Sequence, residues 1–187
     1  LIAWRKYVVE STGIRVTFTD LLIKVVATAI HKHPRVNAFW QDGSILLSKA
    51  INIGLAVAVE DGLVVPVVHN ADQLSVSQIA DRRQELVNRG QEKRLLLEDL
   101  QDGTFTISNL GMYGVDIFNA IINPPQAAIL AVGRIHDRVV ALDGQPVVQP
   151  MMYLSLAYDH RVVDGARGAQ LLETIAGFIE EPFRLVD

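Results

Sequence analysis

The sequence predicts an α+β fold, a two-layer sandwich in which helices cover one face of a mixed, mostly antiparallel sheet. Three observations support this prediction. Several segments carry apolar residues at helical spacing, several others have the composition of strands and are joined by Asp-Gly pairs, and the two kinds do not alternate in a regular βαβ rhythm. The chain of 187 residues contains no internal repeat or low-complexity linker, so we expect one domain.

Composition excludes several classes of function. The net charge is −4 and the charges form no long blocks of one sign, which disfavours a nucleic-acid binder. The absence of cysteine excludes a disulfide framework, a cysteine nucleophile and thiolate metal sites. No apolar run reaches the roughly 20 residues that cross a bilayer, so we expect no membrane association.

The first predicted helix is "TDLLIKVVATAIHKHP", residues 19–34. Its apolar residues stand at 22, 23, 26, 27 and 30, a stripe that predicts burial on one side. Thr19 or Asp20 is the expected N-cap, and Pro34 lies just past the end.

Asp-Gly pairs then mark the expected strands. "VNAFWQDGSILLS" and "INIGLAVAVEDGLVVPVVHN" each place such a pair between runs of β-forming residues, which predicts two hairpins or one meander. "GTFTISNLG" alternates as a strand does, and the segment 127–160 predicts a long hairpin that turns at Asp143 and Gly144.

Two more helices are expected. "SVSQIADRRQELVNRG" opens with Ser75 and Gln78 at capping-box spacing and ends at Gly90. Its arginines are interleaved with acidic residues, which favours a solvated face over a phosphate site, although a single arginine could still meet a cofactor phosphate. "DGARGAQLLETIAGFIEEP" is the closing helix, with Asp164 as its N-cap.

Most candidate ligands have ordinary structural interpretations. His31 and His33 are two residues apart on a predicted helix, so they cannot share a metal ion, and His69 and His136 are expected at the surface. We predict no metal site. Gly111 and Gly114 are expected to be turn residues, because the sequence has no nucleotide-binding glycine motif around them.

His160 is the strongest catalytic candidate from position alone. In "AYDHRVVDG" it follows an apolar strand and precedes a helix, so its imidazole lies on a short turn of a rigid scaffold. Imidazole is the side chain that titrates nearest neutral pH. Asp159 is a poor direct partner because neighbours in extended chain project to opposite sides.

Three motifs together carry a family resemblance. "DHRVVDGA", "TFTISNLGMYG" and "INPPQAAILAVG" resemble the catalytic domain of the dihydrolipoyl acyltransferases that form the cores of 2-oxo acid dehydrogenase complexes, and the resemblance covers nearly the whole chain. Within this family, the sequences of these motifs are most similar to the acetyl-transferring, pyruvate dehydrogenase branch. The His-x-x-x-Asp-Gly element is shared with the chloramphenicol acetyltransferases, whose fold the resemblance therefore implies.

The resemblance implies a chemistry and a set of roles. The family moves an acyl group between the thiols of dihydrolipoamide and coenzyme A, with coenzyme A as a substrate and no metal. His160 then corresponds to the general base and Ser108 to the donor that stabilises the oxyanion; alternatively, Ser108 only ends a strand. Asp164 matches a position with a hydrogen-bonding role, and Asp159 and Arg161 are expected to form an ion pair that shapes the turn. The residues that bind coenzyme A are not predicted.

The resemblance also implies an assembly. We expect residues 1–187 to be an N-terminally incomplete catalytic domain, without the lipoyl and subunit-binding domains that would recruit the 2-oxo acid decarboxylase and dihydrolipoamide dehydrogenase. Homotrimers would build a larger core, in a bacterial cytoplasm or a mitochondrial matrix. The apolar tail of Phe183, Leu185 and Val186 would dock on a neighbouring trimer or pack on its own domain. A chloramphenicol-type O-acetyltransferase and a non-catalytic core protein are the alternative functions.

Overall fold

The computed structural model describes residues 1–185, and their architecture confirms the predicted α+β sandwich. The helices are α1 (Ile2–Thr12), α2 (Phe18–Lys32), α3 (Val76–Gln91) and α4 (Gly165–Glu180). The strands are β1 (Ala38–Gln41), β2 (Ser44–Leu47), β3 (Ile53–Leu55), β4 (Val57–Val59), β5 (Gly62–Val64), β6 (Val67–Val68), β7 (Phe105–Asn109), β8 (Ala128–Val132), β9 (His136–Leu142), β10 (Gln145–Met151) and β11 (Leu154–Tyr158). No helix in this range is both long and apolar enough to cross a membrane.

The central sheet is mixed. Its strand order is β11-β8-β7-β3-β6, and three two-stranded hairpins, β1-β2, β4-β5 and β9-β10, complete the strands. Within residues 1–185, the parallel pairings are β3 with β7 and β7 with β8, and the other pairings are antiparallel. The two parallel pairings place β7 at the centre of the sheet, with its carboxyl end beside those of β3 and β8.

The Asp-Gly pairs end strands as predicted, with one shift in register. Asp42 and Gly43 form the two-residue loop between β1 and β2, and both have positive φ, the conformation that a type I′ hairpin requires. Asp143 and Gly144 do the same between β9 and β10. In the β4-β5 hairpin, however, Val59 pairs with Gly62, so the loop is Glu60–Asp61 and Gly62 already belongs to the strand.

Helix α2 is the centre of the core, and two predictions about it are wrong. Its N-cap is Thr17, not Thr19 or Asp20; the Thr17 hydroxyl oxygen accepts a hydrogen bond from the Asp20 amide, and Asp20 accepts one from the Thr17 amide. The helix is also buried on more than one side, because α3 and α4 flank it and the sheet lies beneath it. Leu21, Val25 and Ala29, outside the predicted stripe, are fully buried.

Helix α1 was not predicted, although Trp4 and Val8, four residues apart, mark its buried side. It lies beside the carboxyl-terminal segment: the ring of Tyr7 contacts that of Phe183 edge to face, with centroids 5.9 Å apart. Phe183 remains exposed, while Leu185 packs against the core of its own domain. Val186 lies outside the described residues, so the docking of the tail stays a prediction.

Helix α3 has Ser75 as its N-cap, with the predicted capping box, and ends one residue after Gly90. The prediction that its arginines are merely solvated is wrong. Arg82 and Arg89 both bind the buried carboxylate of Asp99, and Arg83 binds the buried carboxylate of Asp20. A buried charge is tolerated only when it is paired, so these arginines fasten α3 to two other parts of the chain.

Candidate active site

Ser108 lies on the strand at the centre of the sheet. Phe105 and Ile107 of β7 point into the core, and because side chains alternate along a strand, Ser108 points to the opposite face. Its hydroxyl makes no hydrogen bond to any of residues 1–185. The next residue, Asn109, is held on both sides: its amide nitrogen donates to Thr19 Oγ1 and its amide oxygen accepts from the Gly111 N–H.

A cavity of about 310 Å³ opens at Ser108. This is the lower end of the size range for small-molecule sites. Four parts of the chain line it: the start of α2, the end of β3 with the β4-β5 hairpin, one side of α3, and the end of β7 with the turn after it. The lining residues are Thr17, Thr19, Leu55, Ala56, Val57, Ala58, Leu63, Arg83, Val87, Gln91, Ser108, Asn109, Leu110, Met112 and Tyr113.

The wall of this cavity is held by an ion pair that sequence reasoning missed. Arg83 Nε donates to Asp20 Oδ1 at 2.6 Å, and Asp20 also accepts from the Thr17 amide and hydroxyl, each at 2.7 Å. The pair joins the first turn of α2 to α3. The Thr17-x-x-Asp20 spacing of a capping box was a signal for the first half of this arrangement, but nothing local in the sequence indicates Arg83.

His160 lies where the sequence places it, exposed on the turn between β11 and α4. The turn is fixed at both ends. The Asp159 N–H donates to the Ala127 carbonyl, which continues the β8-β11 ladder, and Val162 and Val163 are buried in the core. The imidazole therefore projects from a segment whose backbone has little freedom.

The predicted Asp159–Arg161 ion pair is confirmed. Arg161 Nη2 lies 2.7 Å from Asp159 Oδ2, and the Arg161 backbone amide also donates to Asp159. The side-chain hydrogen bond from Arg161 holds the pKa of Asp159 below its usual range. The same guanidinium lies over the ring of Trp40, 5.1 Å from the centroid, so the pair is anchored to the β1-β2 hairpin.

Asp164 is the N-cap of α4, as predicted. Its Oδ1 accepts a hydrogen bond from the Arg167 backbone N–H at 2.9 Å, and its Oδ2 forms an ion pair with the Arg167 side chain. The Arg167 amide is the main cause that lowers the pKa of Asp164, and the charge of His160 adds to the effect. A hydrogen-bonding role is sufficient to explain this carboxylate.

One chain does not bring Ser108 and His160 together. Ser108 is level with Ala131 of β8 and, through it, with Ser155 of β11. Strand β11 runs antiparallel to β7. Ser108 lies near the carboxyl end of β7, whereas His160 follows the carboxyl end of β11, which is at the opposite end of the strands. The two residues are separated by two strand spacings across the sheet, from β7 to β11, and by five residues along the chain, from Ser155 to His160. This distance is roughly 15 Å or more, which their side chains cannot span. Asp164, in contrast, lies on the same turn as His160.

The other histidines occupy structural positions. His33 ends α2, with Nε2 2.7 Å from Thr174 Oγ1, and His31 is exposed. His69 Nε2 lies 3.2 Å from the Gln101 carbonyl oxygen, and His136 is exposed on β9. Among residues 1–185, no group of three or more His, Asp or Glu side chains is arranged to hold a metal ion. Gly111 and Gly114 form the turn after β7, as predicted.

Comparison with known families now identifies the class. The fold is shared with chloramphenicol acetyltransferase, which matches with a TM-score of 0.55 over 93% of this chain and 82% of that one at 14% identity; this likeness shows the fold alone. The family model for the 2-oxoacid dehydrogenases acyltransferase catalytic domain matches residues 1–186. The chain belongs to this family.

Individual relatives are of two kinds. The acetyltransferase component of the pyruvate dehydrogenase complex of Rickettsia felis is 42% identical over 173 residues, 92% of this chain and 42% of the relative. The succinyltransferase component of the 2-oxoglutarate dehydrogenase complex of Escherichia coli is 40% identical over 174 residues, 93% and 43% of the two chains. The chain thus spans about two-fifths of the length of these relatives.

Solved structures agree with this assignment. The cubic core of a pyruvate dehydrogenase multienzyme complex matches with a TM-score of 0.90 at 34% identity, over 99% of this chain and 77% of that chain. A second structure with the same values is dihydrolipoamide acetyltransferase of Azotobacter vinelandii, solved to investigate the role of one serine, one histidine and one asparagine in its catalytic mechanism.

Proposed function

We propose that this chain transfers an acyl group, acetyl in our proposal, between dihydrolipoamide and coenzyme A. One observation carries the proposal. The serine, histidine and asparagine investigated in the Azotobacter vinelandii enzyme are separated by 52 and 4 positions, and Ser108, His160 and Asp164 have the same two spacings here. The aspartate replaces asparagine at a position where a hydrogen-bonding role suffices, as the N-cap geometry of Asp164 indicates.

The reaction is a thioester exchange. A thiol with a pKa of ~8.5 is mostly protonated at neutral pH, so a neutral imidazole is a suitable base for it. As His160 takes the proton, the sulfur bonds to the thioester carbonyl carbon, and the Ser108 hydroxyl donates a hydrogen bond to the resulting oxyanion. The intermediate then collapses, the bond to the other sulfur breaks, and the imidazolium returns the proton to the departing thiolate.

The lining of the Ser108 cavity favours acetyl over succinyl. The carboxylate of a succinyl group would need a cationic partner, and Arg83 is the one cation among the described lining residues. That guanidinium is already neutralised by Asp20, which is fully buried. The remaining wall is largely apolar and suits a methyl group. We expect acetyl-CoA to be used with a higher kcat/KM than succinyl-CoA.

The active site is shared between chains in this proposal. Since Ser108 and His160 lie at opposite ends of one sheet, a complete site needs the histidine of a second copy beside the serine of the first. The loop after β7 supplies an apolar surface for such a contact: Met112, Tyr113, Ile117 and Ile121 are 82, 65, 64 and 91% exposed. Exposed apolar side chains in one segment mark an interaction surface.

We further propose a homotrimer that builds a larger core. The resemblance to a cubic multienzyme core supports this assembly. The lipoyl group would be carried by a separate domain, and the 2-oxo acid decarboxylase and dihydrolipoamide dehydrogenase would bind through domains outside residues 1–187. The relatives include bacterial and mitochondrial proteins, which supports a bacterial cytoplasm or a mitochondrial matrix as its location.

Co-expression of two differently tagged variants, His160→Ala and Ser108→Ala, tests the shared site. At equal expression three-quarters of randomly formed trimers are mixed, and each mixed trimer has one intact site in three, so about one-quarter of the wild-type activity should return in assemblies purified through both tags. Trimers that combine two differently tagged Ser108→Ala chains are the control. If both residues act within one chain, no site is intact and the mixed trimers stay at the activity of the single variants, which would contradict the proposal.

The proposed function is tested by comparing dihydrolipoamide and chloramphenicol as acceptors of the acetyl group. Purified chain should transfer acetyl from acetyl-CoA to free dihydrolipoamide, and not to chloramphenicol. Transfer to chloramphenicol alone would support the O-acetyltransferase alternative. Absence of both activities in a trimer that binds coenzyme A would support a non-catalytic core protein.

A further inference from the structure

A glycine in the first half of α4 is in close contact with the segment that carries His160. Gly168 is buried, and a Cβ atom at this position would lie 2.7 Å from Cε1 and 3.1 Å from Cζ of the Tyr158 ring. Glycine is among the least favourable residues inside a helix. The ring of Tyr158 gives the physical reason for it here, because no other residue leaves room for the ring.

Tyr158 is also the aromatic neighbour of the imidazole. Its ring centroid lies 5.9 Å from that of His160, with the two planes at 47°. The backbone of Tyr158 is fixed by pairing with Ala128 of β8, and the next residue continues the ladder. Only the side-chain torsions of Tyr158 are therefore free to change. The space left by the missing side chain of Gly168 accommodates the ring in one orientation and so restricts these torsions.

We propose that Tyr158 is a positioning residue for His160, and that Gly168 exists to seat its ring. The ring of Tyr158, held against α4, forms one wall for the imidazole and limits the rotamers that His160 adopts. The phenol oxygen is not needed for this function: it makes no hydrogen bond to any of residues 1–185. The inference rests on the proposed function in that His160 is taken as the base of the reaction.

The first test is Gly168→Ala. The added methyl group must displace the Tyr158 ring, so we expect kcat to fall by about 10- to 100-fold, the cost of a small misplacement of a catalytic group, while KM for both substrates stays within about twofold. Gly177→Ala is the matched control. It lies in the same helix, its Cβ would meet no atom within 4 Å, and it should leave kcat unchanged and the Tm unchanged or higher.

The second test separates the ring from the hydroxyl. Tyr158→Phe keeps the ring and should retain the wild-type kcat, whereas Tyr158→Leu should lower kcat to a similar extent as Gly168→Ala. Because the leucine variant removes Cε1 and Cζ, the two ring atoms nearest to the added methyl group, adding Gly168→Ala to it should lower kcat no further. If Gly168→Ala alone does not fold, the double variant Tyr158→Leu with Gly168→Ala should fold. The proposal is then tested by comparing the kcat of Tyr158→Phe with that of Tyr158→Leu.

A readout independent of activity uses the imidazole itself. In protein with ¹³C-labelled histidine, the His160 signal is the one of five that His160→Ala removes. It should shift in Gly168→Ala and Tyr158→Leu and stay in place in Gly177→Ala and Tyr158→Phe. If the wild-type chain proves inactive, the proposed function fails while this shift still tests the positioning. An unshifted His160 signal together with a wild-type kcat in Gly168→Ala would overturn the inference.

Discussion

The buried carboxylate of Asp99 offers a quantitative test of how α3 is held. Asp99 is fully buried, and it accepts hydrogen bonds from Arg82 Nη2 at 2.7 Å, from Arg89 Nη1 at 2.9 Å and from the Leu96 N–H at 3.0 Å. It joins α3 to the short turn Leu97–Asp99, which leads into the strand of Ser108. We predict that Asp99→Asn destabilises the protein without changing the size of the side chain.

The expected cost follows from the partners. Removing one member of a buried ion pair costs about 3 to 5 kcal/mol. We expect the lower end of this range, about 3 kcal/mol, because the side chains of Arg82 and Arg89 are 29% and 31% exposed and regain water when the charge of Asp99 is lost. For a domain of this size, that loss lowers the Tm by roughly 6 to 12 °C.

The effect should depend on pH with a defined sign. Burial alone would raise the pKa of Asp99, but the hydrogen bonds from Leu96, Arg89 and Arg82 outweigh it and hold the pKa below its usual value. A carboxylate whose pKa is lower in the folded than in the unfolded state contributes stability above the unfolded pKa of ~3.9. The Tm difference between wild type and Asp99→Asn should therefore be constant at neutral pH and narrow below about pH 4.

Scanning calorimetry of Asp99→Asn and Asp61→Asn between about pH 3 and 8 checks this reasoning. Asp61 forms an ion pair with Lys93, but its side chain is 70% exposed, so the same substitution there should cost less than about 1 kcal/mol. Equal Tm losses in the two variants would refute the claim that burial sets the cost. If the Tm difference between wild type and Asp99→Asn instead widens as the pH falls, the pKa of Asp99 is not lowered in the folded protein, and the reasoning is refuted.

Four further predictions concern the site and the tail. His160→Ala should lower kcat by about 10² to 10⁴ while coenzyme A binding, measured by calorimetry, persists. Ser108→Ala should raise the barrier by about 2.7 to 4 kcal/mol, seen as a lower kcat in a folded protein. Asp164→Asn should keep nearly full stability in thermal unfolding because asparagine is an equally good N-cap, whereas Asp164→Ala should lower the Tm. Deletion of residues 183–187 should leave smaller particles, trimers in our proposal, in analytical ultracentrifugation; an unchanged large assembly would contradict docking of the tail.

The parts of the fold that the sequence predicted are those with local causes. The capping box of Ser75 and Gln78 and the turns at Asp42–Gly43 and Asp143–Gly144 depend on neighbours within three residues, and the structure confirms each. The N-cap of α2 was misplaced because Thr17, Thr19 and Asp20 are all suitable residues. The capping-box spacing of Thr17 and Asp20 is a local signal too, but it does not indicate Arg83, which binds Asp20 from 63 residues away in sequence.

The same distinction explains what was missed at the site. The turn of His160 follows from the end of one strand and the start of the next helix, so residue patterns alone were sufficient to find it. Ser108 came from the family resemblance, because a serine near the end of a strand has no distinguishing local signal. The cavity depends on the parallel pairing of β3 with β7 and on the Arg83–Asp20 ion pair between α3 and α2, and no short window of sequence contains either contact.

The strand directions connect this fold to its proposed chemistry. Strand β8 pairs in parallel with β7 and antiparallel with β11, so the carboxyl ends of β7 and β11 point to opposite edges of the sheet. Ser108 lies near one of these ends and His160 follows the other. Their separation is fixed by the sheet, because β7 and β11 both pair with β8 and run in opposite directions. We therefore propose that each chain contributes two half-sites, and that a complete site requires a contact between copies, which the exposed apolar side chains after β7 are suited to make.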